Sequence, residues 1–241
     1  MTRFLLRVLR QEPHERARWA WGEVELAPSA TVLDALEHLR ERGGACAGLA
    51  YRAACRHGAC GECSVQVNGR GVLSCMTTLG SISCGHQRVE VEPLAGLPVL
   101  RDLVVDRSRF FTALREVRPW LARAADATPE STPASELPMT PEQLHTMQGA
   151  DACILCGICA SACPVTTARG AFAGPAAMLK LYGRLRDPRD EDPRGRLALA
   201  HGPLGAYRCR GALECTASCP RGLDPAQAIA SLRIARGAGE R

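Results

Sequence analysis

Lysine is all but missing from this chain: Lys180 is the only one, and arginine supplies nearly all the positive charge behind a net +5. That skew reads as genomic base composition. The basic residues are scattered among acids, so no patch favours nucleic acid, which is excluded as a partner. Aromatic residues make up 4% of the sequence, so the core has to be aliphatic and rich in alanine. No stretch approaches the roughly 18 uninterrupted apolar residues of a membrane span. The opening "MTRFLLRVLRQEP" is too short and too charged for a secretory signal, and the expectation is a soluble chain kept inside the cell. Also missing are a catalytic dyad, a phosphate-binding glycine loop and a substrate-sized set of acids and bases, which argues against turnover by this chain alone.

Cysteine is the opposite case, with 13 in 241 residues. An odd count, tight C-x2-C spacing and no export signal favour metal in a reducing compartment over disulfides. The length leaves room for one large domain or two ordinary ones. Hydrophobic residues at 46% and charged residues at 23% make an ordinary globular balance that argues against disorder.

Two halves follow different grammars. Residues 3–10, "RFLLRVLR", and 19–26, "WAWGEVEL", have strand-like composition. "TVLDALEHLRERGG" predicts a helix, with Thr31 and Asp34 as a capping box, Val32, Leu33, Leu36 and Leu39 on one face, and Gly43-Gly44 to end it. "CSVQVNGRGVLSC" predicts a hairpin turning at Asn68-Gly69, and "RVEVEPL" a last strand. After Pro93 the apolar residues Phe110, Phe111, Leu114 and Val117 take helical spacing. Residues 122–141, rich in Ala, Pro, Ser and Thr, predict an exposed connector, and Thr140-Pro141-Glu142-Gln143 opens a further helix. The remainder reads as helices and cysteine loops. The expected fold class is α+β, with a small mixed domain over residues 1–100 and an all-α domain over residues 101–241.

Three cysteine constellations carry chemistry. Cys55, Cys60 and Cys63 are spaced C-x4-C-x2-C, with Cys75 eleven residues further on, which is the plant-type arrangement for a 2Fe-2S cluster. Gly58, Ala59 and Gly61 keep the loop small enough for backbone N–H groups to reach the sulfurs. Zinc is the competing occupant, but its ligands usually come as C-x2–4-C pairs. His57 and His86 each sit in a C-x-H triplet, and the absence of a C-x2-H partner rejects a Rieske site.

The other two constellations are paired runs. "CILCGICASACP", residues 153–164, is the intact bacterial form C-x2-C-x2-C-x3-C-P, and "CRGALECTASCP", residues 209–220, repeats it with Ala212 in place of the second cysteine. In two-cluster ferredoxins the last cysteine of each run serves the other cluster. Cys153, Cys156, Cys159 and Cys219 then hold a 4Fe-4S cluster, and Cys163, Cys209 and Cys215 a 3Fe-4S cluster, because a methyl group cannot bind iron. Cys46 and Cys84 are left over as free thiols, Cys84 as packing. A degenerate run that lost a ligand and its cluster is the bland alternative. Against it, every other ligand position and both prolines of the pair are present.

These motifs, with "YRAACRHGACGEC", "PLAGLPVLRDLVVD", "GPAAM", "DPRDEDPR" and "CPRGLDPAQAI", resemble the iron–sulfur subunit of the succinate dehydrogenase and fumarate reductase family over about residues 50–235. The resemblance implies a β-grasp N-terminal domain, an all-α ferredoxin domain with two cubane-type clusters, and the same three clusters on the same cysteines. It also implies partners: a flavoprotein (FAD) subunit that oxidises succinate, membrane anchor subunits, and a quinone bound beside the last cluster. The location implied is the cytoplasmic face of the cell membrane, peripheral through those partner subunits. Pro164, Arg210 and Arg233 fall by spacing in the quinone vicinity. Ala168 stands where the dehydrogenase branch has tryptophan, Arg210 where it often has histidine, and Arg233 where the family has lysine, which leaves quinone type and direction open. "CGICASACP" and "GPAA" lean toward the fumarate reductase branch.

Other classes account for less of the sequence. A stand-alone multi-cluster ferredoxin for another flavoprotein shares the ligands, but it would purify alone as a brown monomer. A zinc-ribbon scaffold predicts colourless protein without acid-labile sulfide. The small subunit of molybdenum hydroxylases shares the first domain only, its second lacking the paired runs.

Overall fold

Phe4, Leu6 and Val8 alternate along the first strand with more exposed neighbours, and the inward three are buried to within 1% of completely. That period of two, with β-branched and long aliphatic side chains, builds the edge of a core. The computed structural model describes residues 1–13, 15–83, 88–123, 137–147, 149–168 and 171–236. Cys84, His86 and residues 124–136 of the connector lie outside them.

The first unit comprises Met1–Ser108 with Ile154–Ala162. In chain order it holds β1 (Thr2–Arg10), β2 (Arg18–Leu26), α1 (Val32–Arg42), β3 (Ser64–Val67), β4 (Arg70–Leu73), α2 (Leu79–Ile82), β5 (Arg88–Glu92), β6 (Val99–Arg101) and β7 (Val104–Val105). The main sheet runs β2-β1-β5-β3-β4, with β1 and β5 parallel and the other neighbours antiparallel. Helix α1 lies over β2, where Gly22 leaves the space that Leu39 fills: a Cβ there would sit 2.3 Å from the Leu39 Cδ2. This is the β-grasp arrangement.

Local signals act as the sequence implies. Thr31 and Asp34 form both halves of the α1 capping box, and Gly43 ends the helix at φ +79°. Asn68 and Gly69, at φ +50° and +77°, make the two-residue turn between β3 and β4. Cys46 is buried in the sheet core.

The β6–β7 ribbon follows Pro93, where the sequence reading turns helical, and the 100/101 boundary cuts through it. It belongs with the first unit because Asp102, at its turn, is bonded deep inside. Its carboxylate meets Arg10 Nε at 2.8 Å and accepts the N–H groups of Gln11 and Ala50, while Arg10 also donates to the carbonyls of Ala45 and Ala47. Segment 154–162 joins the same unit through Ile158, fully buried with Leu33, Leu73, Leu94 and Val105.

The second unit comprises Arg109–Cys153 and Cys163–Arg241. Further helices are α3 (Ser108–Glu116), α4 (Pro141–Thr146), α5 (Ile158–Ala162, within the first unit), α6 (Pro164–Thr167), α7 (Pro175–Arg186), α8 (Pro193–His201), α9 (Glu214–Ala217) and α10 (Pro225–Ile234). Pro occupies the first turn of α4, α6, α7, α8 and α10, where its missing N–H is harmless. Thr140 and Gln143 form the α4 capping box. The α7–α10 core is small and aliphatic, with Met178, Leu179, Leu181, Ala228, Ile229 and Leu232 buried. Arg196 of α8 is wholly buried, paired with Asp190 at 2.6 Å and donating to the carbonyls of Val117, Arg118 and Trp120.

Candidate metal centres

Left-handed backbone at Arg56, Gly58 and Gly61 winds the loop after Tyr51 so that its amides face inward. The N–H groups of Ala59 and Cys60 each donate to Cys55 Sγ at 3.3 Å. The His57 amide, followed by the Cys60 thiol, draws the Cys55 thiol down to about 6, so it ionises near neutrality. His57 is not aimed at a metal: its Nδ1 donates to the Cys55 carbonyl at 2.5 Å. Cys63 and Cys75 lie deeper, packed with Leu33, Leu73 and Leu94. Burial first, and then the facing Cys63 thiol, push Cys75 up to about 11.

The four thiols therefore meet as two pairs, Cys55 with Cys60 and Cys63 with Cys75, and Cys75 also feels the charge of Cys55. Among the described residues no three His, Cys, Asp or Glu side chains close on one point as a single ion requires. Paired thiols suit two irons, one pair to each, and amides aimed at sulfur suit thiolate ligands, so these residues fit a 2Fe-2S cluster. Ionised ligands are what such a cluster needs, and burial makes Cys75 harder to ionise than a free thiol.

Gly61 brings this loop against the next. A Cβ there would lie 2.9 Å from both the Ile154 carbonyl oxygen and Cys156 Cα. Arg107, itself buried, braces the first loop by donating to the Gly61 carbonyl at 3.4 Å and pairing with Glu62 at 2.5 Å. Cys156 and Cys159 are buried in the first unit, while Cys153 and Cys219 belong to the second and are half-buried.

Within the second unit Cys163, Cys209 and Cys215 line one partly open cavity, and Ala212 lines it with them. Burial is the main influence raising the Cys215 thiol, and the charges of Cys209 and Cys163 add to it. The Gly211 N–H donates to Cys209 Sγ at 3.4 Å. Thr216 bonds Asp224, the N-cap of α10, at 2.6 Å and so fastens α9, which carries Cys215, to that helix. The backbone around Ala212 repeats that of the intact run: Leu155 and Gly157 flank Cys156 at positive φ, and Gly211 and Leu213 flank Ala212 likewise. Three thiols and a methyl around one space fit a cluster with three ligands.

A model of the 2Fe-2S iron-sulfur cluster binding domain matches residues 5–112, and one of the 4Fe-4S dicluster domain matches residues 149–223. A succinate dehydrogenase iron-sulfur subunit from Coxiella burnetii is 34% identical, covering 94% of both chains. A fumarate reductase iron-sulfur subunit from Haemophilus influenzae is 36% identical, covering 91% of this chain and 85% of the relative. The chain belongs to the family of succinate dehydrogenase and fumarate reductase iron–sulfur subunits. A chain in the Mycobacterium smegmatis Sdh1 complex in the apo form superposes on this iron–sulfur subunit with a TM-score of 0.84 at 28% identity, covering 96% of this chain and 94% of that one.

As an iron–sulfur subunit the chain transfers electrons. Of the residues that spacing puts near the quinone, Pro164 and Arg210 line the Cys163–Cys209–Cys215 cavity. Arg233 is engaged otherwise, donating through Nε to the Ala206 carbonyl at 3.1 Å and through Nη2 to the Cys209 carbonyl. It braces the backbone of a candidate ligand. Spacing could not show this, nor the part of Arg107. Both depend on contacts between residues more than 20 apart in sequence.

Proposed function

We propose that this iron–sulfur subunit relays single electrons between a flavoprotein (FAD) partner and a quinone at the interface with a membrane anchor, within a succinate:quinone or quinol:fumarate oxidoreductase. The ligands are Cys55, Cys60, Cys63 and Cys75 for a 2Fe-2S cluster, Cys153, Cys156, Cys159 and Cys219 for a 4Fe-4S cluster, and Cys163, Cys209 and Cys215 for a 3Fe-4S cluster. Once bound, the clusters supply one-electron redox chemistry. The chain's own residues fix the ligands, keep water from the sulfurs and aim amide dipoles at them, which sets the potentials.

The observation that carries the reading is the cavity where three cysteines and Ala212 face one space. Pro164 and Arg210 on its wall favour a ligand reaching the third centre there, and a guanidinium can donate to a quinone carbonyl. None of the described helices is long and apolar enough to cross a membrane, in keeping with peripheral attachment at the cytoplasmic face through partner subunits.

The test is anaerobic purification with co-purifying subunits identified, followed by iron analysis and electron paramagnetic resonance. The expected content is about nine irons per chain, from one cluster of each kind. Ala212→Cys should convert the oxidised 3Fe-4S signal into a 4Fe-4S one, lower the potential of that site and slow quinone reduction. A 3Fe-4S signal unchanged in the variant refutes the assignment of the third site, and two complete cubanes in the unmutated protein refute the relay.

A further inference from the structure

The one lysine of this arginine-rich chain stands on α7 between Leu179 and Leu181, both buried. The residue is half-buried, and its ammonium donates at an exposed contact to the carbonyl oxygen of Asp151 at 3.5 Å, two residues before Cys153. Cys153 packs on the apolar cluster of Ala150, Leu179 and Ala228, so α7 carries the floor under the thiol, and Lys180 is the next residue along that helix. Burial lowers the Lys180 pKa, while the charges of Cys153 and then Asp151 draw it back up. Arg184, one turn further along, is occupied by Asp187 at 2.9 Å.

We infer that the positive charge of Lys180 tunes the second centre, the one Cys153 serves, by holding its reduction potential above the value a neutral side chain would give. The inference rests on the ligand assignment proposed above. One-electron reduction adds one negative charge to a centre and breaks no bond; the electron arrives from the centre upstream and leaves to the one downstream. A cation near a ligand sulfur stabilises the reduced form more than the oxidised one, and the partial burial of Lys180 limits, without abolishing, the screening by water. Lysine suits the place better than arginine. An ammonium is a compact charge on a flexible stem, whereas a guanidinium is a planar fork suited to two acceptors in its plane. The hydrogen bond to Asp151 uses a single carbonyl.

Lys180→Gln and Lys180→Arg, each made in the complex as purified, are titrated at constant pH while the 4Fe-4S signal is followed by electron paramagnetic resonance. The Gln variant should shift the ratio of reduced to oxidised centre at a given potential roughly tenfold toward oxidised, about 59 mV for a one-electron couple. The Arg variant should move it far less, and the 2Fe-2S and 3Fe-4S midpoints should stay put. Loss of the centre in the Gln variant alone also supports a requirement for charge. An unmoved midpoint in the Gln variant, equal shifts in both, or equal loss of the centre in both overturns the inference in favour of packing. A missing 4Fe-4S signal in the unmutated complex defeats the ligand assignment instead, and that control separates the two failures.

Discussion

Gly61→Ala probes the place where the loop carrying Cys60 and Cys63 touches the backbone leading into Cys156. The new methyl carbon would sit 2.9 Å from the Ile154 carbonyl oxygen, 2.9 Å from Cys156 Cα and 3.0 Å from Cys156 Cβ. Two of these are main-chain atoms and cannot swing aside as a side chain can. Overpacking of this kind costs about 1–3 kcal/mol. Gly61 also has φ +72°, where any residue with a Cβ loses about 1–2 kcal/mol more. The expected loss is therefore about 2–5 kcal/mol. Gly69→Ala is the control, since Gly69 has φ +77° but nothing within 4 Å of a built Cβ, so only the smaller conformational cost applies. One kcal/mol moves a thermal midpoint about 4–8 °C in a domain of 60–100 residues. The assay is the melting midpoint of each variant together with the 2Fe-2S resonance signal per chain. Gly61→Ala should melt lower than Gly69→Ala and hold less cluster. Equal midpoints and equal cluster content in the two variants would refute the close approach of the loops.

Two further outcomes concern the second unit. Arg196→Met leaves Asp190 buried and unpaired and releases three backbone carbonyls, so it should cost about 3–5 kcal/mol in urea unfolding. The double variant Arg196→Met with Asp190→Leu should recover part of that loss, and no recovery would count against the ion pair. Asp187 and Asp190 are both held below the ordinary carboxylate range: burial alone would raise them, but hydrogen bonds from Arg189 and Arg196 outweigh it. An unfolded chain therefore binds more protons than the folded one, and this contribution is complete above the ordinary value near 3.9, then lost as pH falls from there through the depressed folded values. Urea midpoints should show this loss below about pH 4, and Asp187→Asn and Asp190→Asn should reduce it; an unaltered acid limb in both variants would assign the loss to other groups.

What the sequence made legible was local or covalent in spacing. Thr31 with Asp34, Thr140 with Gln143, and Asn68-Gly69 each act within four residues, and their conformations follow from side chains that reach their own backbone. Cysteine spacing is equally direct, because a cluster dictates how many residues separate its ligands. The β6–β7 ribbon escaped because strands of three and two residues show no periodicity, and its anchor, Asp102 on Arg10, joins positions 92 apart. Arg233 shows the same limit. Matching by spacing puts it near the quinone, while its Nε and Nη2 donate to the carbonyls of Ala206 and Cys209, and only the packing of α10 could reveal those bonds. Lys180 was conspicuous as a composition anomaly, but its neighbour Cys153 is brought to it by folding.

The choice between a decayed ligand run and a three-ligand site turns on backbone conformation. A leucine held at positive φ costs about 1–2 kcal/mol, and such conformations persist where surrounding structure enforces them. Leu155 carries that strain in the intact run and Leu213 in the run with Ala212, at different positions, each opposite a glycine in the other copy. The two runs thus share a conformation that their sequences do not share, residue for residue. A loop released from ligand duty had an inexpensive escape, since glycine at position 213 or a relaxed turn would remove the strain. Ala212 nonetheless stays on the wall of the cavity that Cys163, Cys209 and Cys215 line. Strain kept around Ala212 is what the proposed three-ligand centre would require, whereas a vestige has no physical reason to retain it.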